Sequence, residues 1–304
     1  MKIAIIGAGA LGLYYGAMLQ RSGHDVQFLL RRDYTAIREK GLTVTSVNGD
    51  FHLPEVRGVR AAANLDPADL VIVGLKTFHN DQLPELCRPA VGKNTALLTL
   101  QNGLGNEERL AATFGDDRVM GGVAFLCSNR GEPGTVHHLG QGAIRLGEFR
   151  GGASTRAEET AALFRKAGVP CEAVADLAKA RWEKLIWNIP FNGLCALTQR
   201  PTGGLLASAA VQQEVEAIMR EVIAGANAQG LSAPIDAAEV IPRLLEVTET
   251  MGDYRPSMMI DRQEGRPLEL DAIYGRALSL AAARQVDMAK TRLLFALLQL
   301  GEES

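Results

Sequence analysis

Three polar side chains in the second half of the chain have a spacing that can support proton transfer. Lys184, Asn188 and Asn192 recur at i, i+4 and i+8, so a helix through them lines them up on one face. Their neighbours are Trp182, Leu185, Ile186, Trp187, Ile189 and Phe191, whereas an exposed amphipathic helix surrounds its lysine with other charges. A lysine beside two amides in such company faces a sheltered cleft. Burial disfavours the ammonium and moves its pKa down toward the range of a general acid. Reduction of a carbonyl needs such a group, because the oxygen gains negative charge as hydride reaches the carbon. The structural alternative is a lysine that snorkels to water while the amides tie neighbouring backbone. Pro190 is expected to kink this helix or end a turn within it.

A second group of polar residues runs from Ser257 through Asp261, Gly265, Arg266 and Pro267 to Glu269 and Asp271. Pro267 suits the first turn of a helix, where Glu269 and Asp271 would complement the macrodipole. The functional alternative is that Glu269 reaches the cleft and holds Lys184 or a substrate hydroxyl. The residues alone do not choose between the two.

At the other end of the chain, Gly7-Ala8-Gly9-Ala10-Leu11-Gly12 fits G-x-G-x-x-G directly after an apolar strand and before a helix. In that pattern Gly7 permits the tight turn, Gly9 lets backbone approach a pyrophosphate, and Gly12 brings helix and strand together. The pyrophosphate then sits at the positive end of the helix. The next strand ends in Leu29-Leu30-Arg31-Arg32. An NAD site usually places a carboxylate there for the ribose 2′-hydroxyl, whereas guanidinium groups suit a 2′-phosphate. NADP/NADPH is therefore the expected cofactor, with Asp33 the one nearby acid that an NAD reading would need. Lys76 and Asn102 follow two further strand-like runs, 70–75 and 95–100, at the strand ends where ligands of parallel sheets bind. Each is a candidate cofactor or substrate contact; a surface lysine and a turn asparagine are the alternatives.

The elements that position these residues change character near residue 175. Before it, strands alternate with helices, which indicates an α/β fold with an N-terminal Rossmann-type doubly wound sheet. Runs 43–47 and 51–56 flank Asn48-Gly49, a hairpin signal. Thr155 with Glu158 has capping-box spacing before a helix that ends at Gly168. After it, helices are expected over 179–199, 208–229, 235–249, 268–284 and 288–300, an all-α C-terminal domain. The expected division is a dinucleotide-binding domain over 1–174 and a helical substrate domain over 175–304.

Composition excludes several other classes. The 304 residues are 47% hydrophobic and 22% charged with a net charge of −3, which fits a globular protein and offers no basic patch for nucleic acid. No apolar run reaches the roughly 20 residues of a membrane span. The opening residues read as a buried strand rather than a secretory leader. Cys87, Cys127, Cys171 and Cys195 have no metal-ligand or disulfide spacing, so a cytoplasmic protein with no metal is expected. The apolar helical stripes fit a homodimer interface as well as a core.

Taken together the motifs resemble the ketopantoate reductase (2-dehydropantoate 2-reductase) family over almost the whole chain. The resemblance rests on the glycine start, Lys76, Gln101-Asn102-Gly103-Leu104-Gly105, Pro133-Gly134 with His138, the Lys184/Asn188/Asn192 face, Ser257-Met258, Gly265-Arg266 and Glu269. It implies NADPH-dependent reduction of a small 2-oxo acid, 2-dehydropantoate, to pantoate in pantothenate biosynthesis. Lys184 would be the general acid, and Glu269 would position the substrate or Lys184. Asn102, Asn188, Asn192 and Ser257 would bind substrate, Arg31 the 2′-phosphate, and Lys76 the cofactor. The chain departs from the family pattern T-E-I-D-x-I-N-G at Leu268 and Tyr274. Those departures leave another 2-oxo acid or carbonyl compound as an alternative substrate. A dinucleotide-sensing protein without turnover is a further alternative, since the glycine motif alone specifies only binding.

Overall fold

Near-continuous apolar strands need cover on both faces, and the first part of the chain supplies it. A computed structural model describes residues 1–302 and divides into two units, Met1–Asn102 with Asn106–Leu177, and Gly103–Gly105 with the chain from Ala178 onward.

In the first unit β1 (Lys2–Ile6), α1 (Ala10–Arg21) and β2 (Asp25–Leu29) are followed by α2 (Tyr34–Lys40), β3 (Leu42–Ser46), β4 (Phe51–Leu53) and β5 (Arg57–Val59). Then come β6 (Ala68–Val73), α3 (Leu83–Cys87), β7 (Val91–Thr99), α4 (Asn106–Phe114), β8 (Val119–Arg130), β9 (Thr135–Glu148), α5 (Thr155–Lys166) and β10 (Cys171–Ala173). All ten strands join one sheet in the order β4-β3-β9-β8-β7-β6-β1-β2-β5, with β10 beside β9. The pairs from β8 through β7, β6, β1 and β2 to β5 are parallel, the doubly wound part of the fold. Ile3 and Ile5 pack on one face with Leu13 and Tyr15 of α1 and Phe164 of α5. Ala4 and Ile6 pack on the other with Leu83 and Cys87 of α3 and Leu110 of α4. Two-faced burial is why these strands read as apolar runs.

The hairpin at Asn48-Gly49 forms between β3 and β4, with Gly49 at φ +107°. The helix is capped one residue earlier and without a capping box: Ser154, not Thr155, accepts the N–H of Ala157 at N3, and Thr155 is the first helical residue. The long antiparallel ladder of β8 and β9 has no counterpart in the sequence reading. Its two register shifts blur the alternation that would have announced it.

The second unit holds α6 (Leu177–Thr198, all but its first residue), α7 (Thr202–Leu206), α8 (Ala209–Asn227), α9 (Ala237–Thr250), α10 (Ser257–Gln263), α11 (Arg276–Ala283) and α12 (Ala289–Leu300). Its core gathers Trp182, Ile186, Ile189 and Phe191 of α6 with Met219 and Val222 of α8 and Leu298 of α12. Helix α6 continues through Pro190 rather than ending there. The helix expected from Pro267 starts later: Leu270 is its first helical residue, and Asp271–Gly275 form a π-helical turn before α11. Among the described residues no helix is long and apolar enough to cross a membrane.

Candidate active site

The glycine turn of the first unit divides its labour among three positions. Gly7 sits at φ +98°, and a Cβ there would lie 2.4 Å from the Leu75 backbone nitrogen. A Cβ on Gly12 would lie 2.2 Å from the Gly7 carbonyl oxygen. Both glycines are required by the fold itself. Gly9 is different: at φ −77° it could carry a side chain, and a Cβ there would meet no protein atom within 4 Å. It precedes Ala10, Leu11 and Gly12 at the start of α1, where no side chain caps the helix. The open space and uncapped N–H groups form a cradle that fits a pyrophosphate.

The strand ends beside this turn are tied by a polar network that the sequence reading missed. Gln101 donates to the Leu75 carbonyl at 3.0 Å and to Asn80 Oδ1 at 2.7 Å. Asn80 donates to Asn106 Oδ1 at 2.9 Å, and Asn106 donates to the Asn102 carbonyl at 2.9 Å. The chain segments that carry Lys76 and Asn102 are thereby fixed to each other through buried amides. A signal existed, since Asn80 and Asn106 each stand four residues after a candidate.

Arg31 follows β2 and is exposed. Asp33, the acid that an NAD reading would require, is buried and committed elsewhere: it pairs with Arg130 and accepts the Gly134 N–H at 3.1 Å. Pro133-Gly134 therefore serves as the turn that holds Asp33, with Gly134 at φ +85°. His138 accepts from the Ser46 hydroxyl or donates to it at Nδ1 (2.8 Å), meets the Gln141 carbonyl through Nε2 (2.9 Å), and stacks on Tyr14. That is a satisfied core histidine of the first unit.

In the second unit α6 presents Lys184, Asn188 and Asn192 as their spacing requires. Burial first, and the Arg181 guanidinium second, lower the Lys184 pKa from 10.5 to about 7 against the opposing pull of the Glu269 carboxylate. Arg181 and Glu269 are themselves buried. The acid expected to reach Lys184 does so electrostatically, and Arg181 is the neighbour that sequence reasoning missed. Glu269 stands just before the π turn, its carbonyl accepting from the Ile273 N–H at 3.2 Å. Asn188 is buried, and among the described residues its amide has no hydrogen-bond partner, so its donors and acceptor are available to a ligand. Asn192 Oδ1 accepts from the Met258 N–H at 3.3 Å, which fixes the start of α10 and so Ser257. Arg266 donates to Asp261 at 2.8 Å, a brace across the Gly265 turn.

The two departures from the family pattern lie in the core. Tyr274 is fully buried, stacks on Phe295, and donates its hydroxyl to the Ile189 carbonyl at 2.8 Å. A Cβ at position 193 would lie 2.4 Å from that hydroxyl oxygen, so Gly193 makes the seat for it. Leu268 is buried among the same apolar residues. Both side chains pack this unit, and the Tyr274 hydroxyl ties its own turn to α6.

Comparison with known proteins agrees with this arrangement. Residues 3–151 match the family described as Ketopantoate reductase PanE/ApbA, and residues 176–302 its C-terminal counterpart. A 2-dehydropantoate 2-reductase of Nostoc sp. is 42% identical over 97% of this chain and 93% of its own. The crystal structure of a 2-dehydropantoate 2-reductase from Geobacter metallireducens superposes with a TM-score of 0.97 at 59% identity, covering 99% of this chain and 100% of that one. One from Methylococcus capsulatus gives a TM-score of 0.90 at 33% identity over 100% of this chain and 97% of that one.

Proposed function

Because this chain belongs to the ketopantoate reductase family, we propose that it reduces the ketone of 2-dehydropantoate to the alcohol of pantoate with NADPH, in the cytoplasmic synthesis of pantothenate. The observation that carries the reading is Lys184, its pKa brought to about 7 by burial, with Glu269 as its counter-charge. At that value the ammonium is an acid matched to neutral pH.

NADPH, when bound, supplies the hydride that the carbonyl carbon accepts. Lys184 gives its proton to the carbonyl oxygen, so the net change is one hydride and one proton added across C=O. Glu269 holds the charge of Lys184 and orients it. Asn188 offers the substrate an uncommitted amide, and Asn192 keeps Ser257 in place while its own NH2 group stays available. Asn102 serves substrate and cofactor at its strand end, beside Lys76. Gly7 to Gly12, with Ala8, Ala10 and Leu11, hold the pyrophosphate against the α1 N-terminus. Arg31 receives the 2′-phosphate, and Asp33, the acid that an NAD ribose would use at this strand end, is committed to Arg130 and Gly134. On this reading 1–174 is the NADP-binding domain and 175–304 the substrate domain.

The test is a panel of 2-oxo acids assayed by NADPH and NADH absorbance. Turnover is expected to be greatest for 2-dehydropantoate with NADPH. No turnover of that substrate at saturating NADPH would overturn the assignment.

A further inference from the structure

We propose that Arg60 is a second receptor for the 2′-phosphate of NADPH, working beside Arg31. The inference rests on the NADPH reading above and adds a binding residue that neither the glycine motif nor the end of β2 points to.

Position comes first. β5 runs parallel to β2 with Leu29 opposite Val59, and the Leu30 N–H donates to the Val59 carbonyl at 2.8 Å. Arg60 therefore leaves the carboxyl end of β5 one strand over from Arg31, a lateral step of roughly 4.8 Å. The crevice beyond these strand ends is where open parallel sheets bind nucleotides.

Conformation comes second. The Arg60 guanidinium lies 4.9 Å from the centroid of the Tyr34 ring, at the first residue of α2. Gly58 leaves room for Leu30 beside this pair: a Cβ there would lie 2.4 Å from Leu30 Cδ1, and at 3.9 Å it would touch the Tyr34 ring in ordinary contact. The ring face attracts the cation and takes up none of the N–H groups that an oxyanion would need.

Charge comes third. Arg32 donates to the Gly131 carbonyl, Arg130 pairs with Asp33, and Arg57 pairs with Asp66. Arg38 lies farther from the Tyr34 ring, at 5.7 Å, in the last turn of α2, where the helix dipole accounts for a cation. Among the described residues Arg31 and Arg60 have neither a carboxylate nor a carbonyl partner. Two cations on neighbouring strand ends repel, and a doubly charged phosphate between them removes that repulsion. A ribose hydroxyl would instead need an acceptor, and Asp33 is already taken.

The experiment measures dissociation constants of NADPH, NADH and 2′,5′-ADP for the wild-type protein, Arg60→Ala and Arg60→Lys. Arg60→Ala should weaken NADPH and 2′,5′-ADP about tenfold, the scale of one charged hydrogen bond, and NADH less than about twofold. Arg60→Lys should fall between, because an ammonium keeps the charge but loses the fork and the stacking. Equal weakening of NADPH and NADH, or unchanged NADPH binding by Arg60→Ala in a protein that prefers NADPH, would overturn the role of Arg60 alone. A wild-type protein that binds NADPH and NADH alike would overturn the NADPH reading, and this inference with it.

Discussion

The glycine turn of the first unit and the Lys184 face of the second are built by opposite means. At the turn, chemistry depends on side chains that are missing: Gly7 and Gly12 let backbone segments meet, and Gly9 keeps a space open that the protein itself does not fill. Around Lys184 it depends on side chains that are present but displaced from water, where a neighbouring Arg181 and Glu269 adjust one ammonium. The first site tolerates no added bulk, and the second no lost charge. Binding by backbone is therefore set by shape, whereas proton transfer is set by burial.

The largest effect should come from Lys184→Ala, with kcat lower by at least about a hundredfold, the scale for removing a general acid. NADPH affinity should move much less, and a rate retained by this variant would dissolve the contrast between the two regions. In the wild-type enzyme the reduction rate should fall as pH rises through about 7, because the proton that Lys184 would donate in the proposed reaction is lost there. The sign for stability is the reverse. A lysine whose folded pKa is lowered from 10.5 to about 7 makes folding more favourable as pH rises across that window. Lys184→Met should therefore raise the Tm at pH 6 while abolishing turnover.

Next in size is a pair of glycine variants. Gly7→Ala places a Cβ 2.4 Å from backbone at φ +98° and should cost about 2 kcal/mol of stability or more. Gly9→Val places its Cβ where no protein atom lies within 4 Å, so its Tm should match the wild type while NADPH affinity drops about tenfold or more. Thermal melts and cofactor titrations on the same samples separate the two, and a destabilised Gly9→Val would mean that this glycine too serves the fold.

The smallest effect belongs to Tyr274→Phe. Losing the bond to the Ile189 carbonyl should cost about 1 kcal/mol of stability, the usual worth of one hydrogen bond. The preference among 2-oxo acids should stay as it is. A changed substrate profile would give Tyr274 a part in substrate choice and overturn its assignment to the core alone.

The Tyr274 case shows why one position can be visible in a sequence and still not be located by it. A large side chain where relatives carry asparagine signals a difference. The signal carries no direction, and only packing against Phe295 and Gly193 gives it one. Asp33 is similar: its distance along the chain suits a ribose contact, and its pairing with Arg130 removes it. Ser154 rather than Thr155 caps α5 because both are good caps and backbone geometry selects between neighbours. The amide network of Asn80, Gln101 and Asn106 leaves no pattern in the sequence because each member is an ordinary turn or helix-start residue by itself.

By itself the sequence determined the elements with strong local causes. Glycine spacing after a strand set the turn, apolar runs set the parallel strands, and helical spacing put Lys184, Asn188 and Asn192 on one face. Arg31 at a strand end was legible for the same reason, since strand direction is a local property. Only the tertiary structure decided which polar groups remain uncommitted. It set a half-buried Lys184 near buried Glu269, spent Asp33 on Arg130, and left Asn188, Arg31 and Arg60 with hydrogen bonds still to make. Burial and pairing depend on residues far apart in the chain, and no local pattern records them.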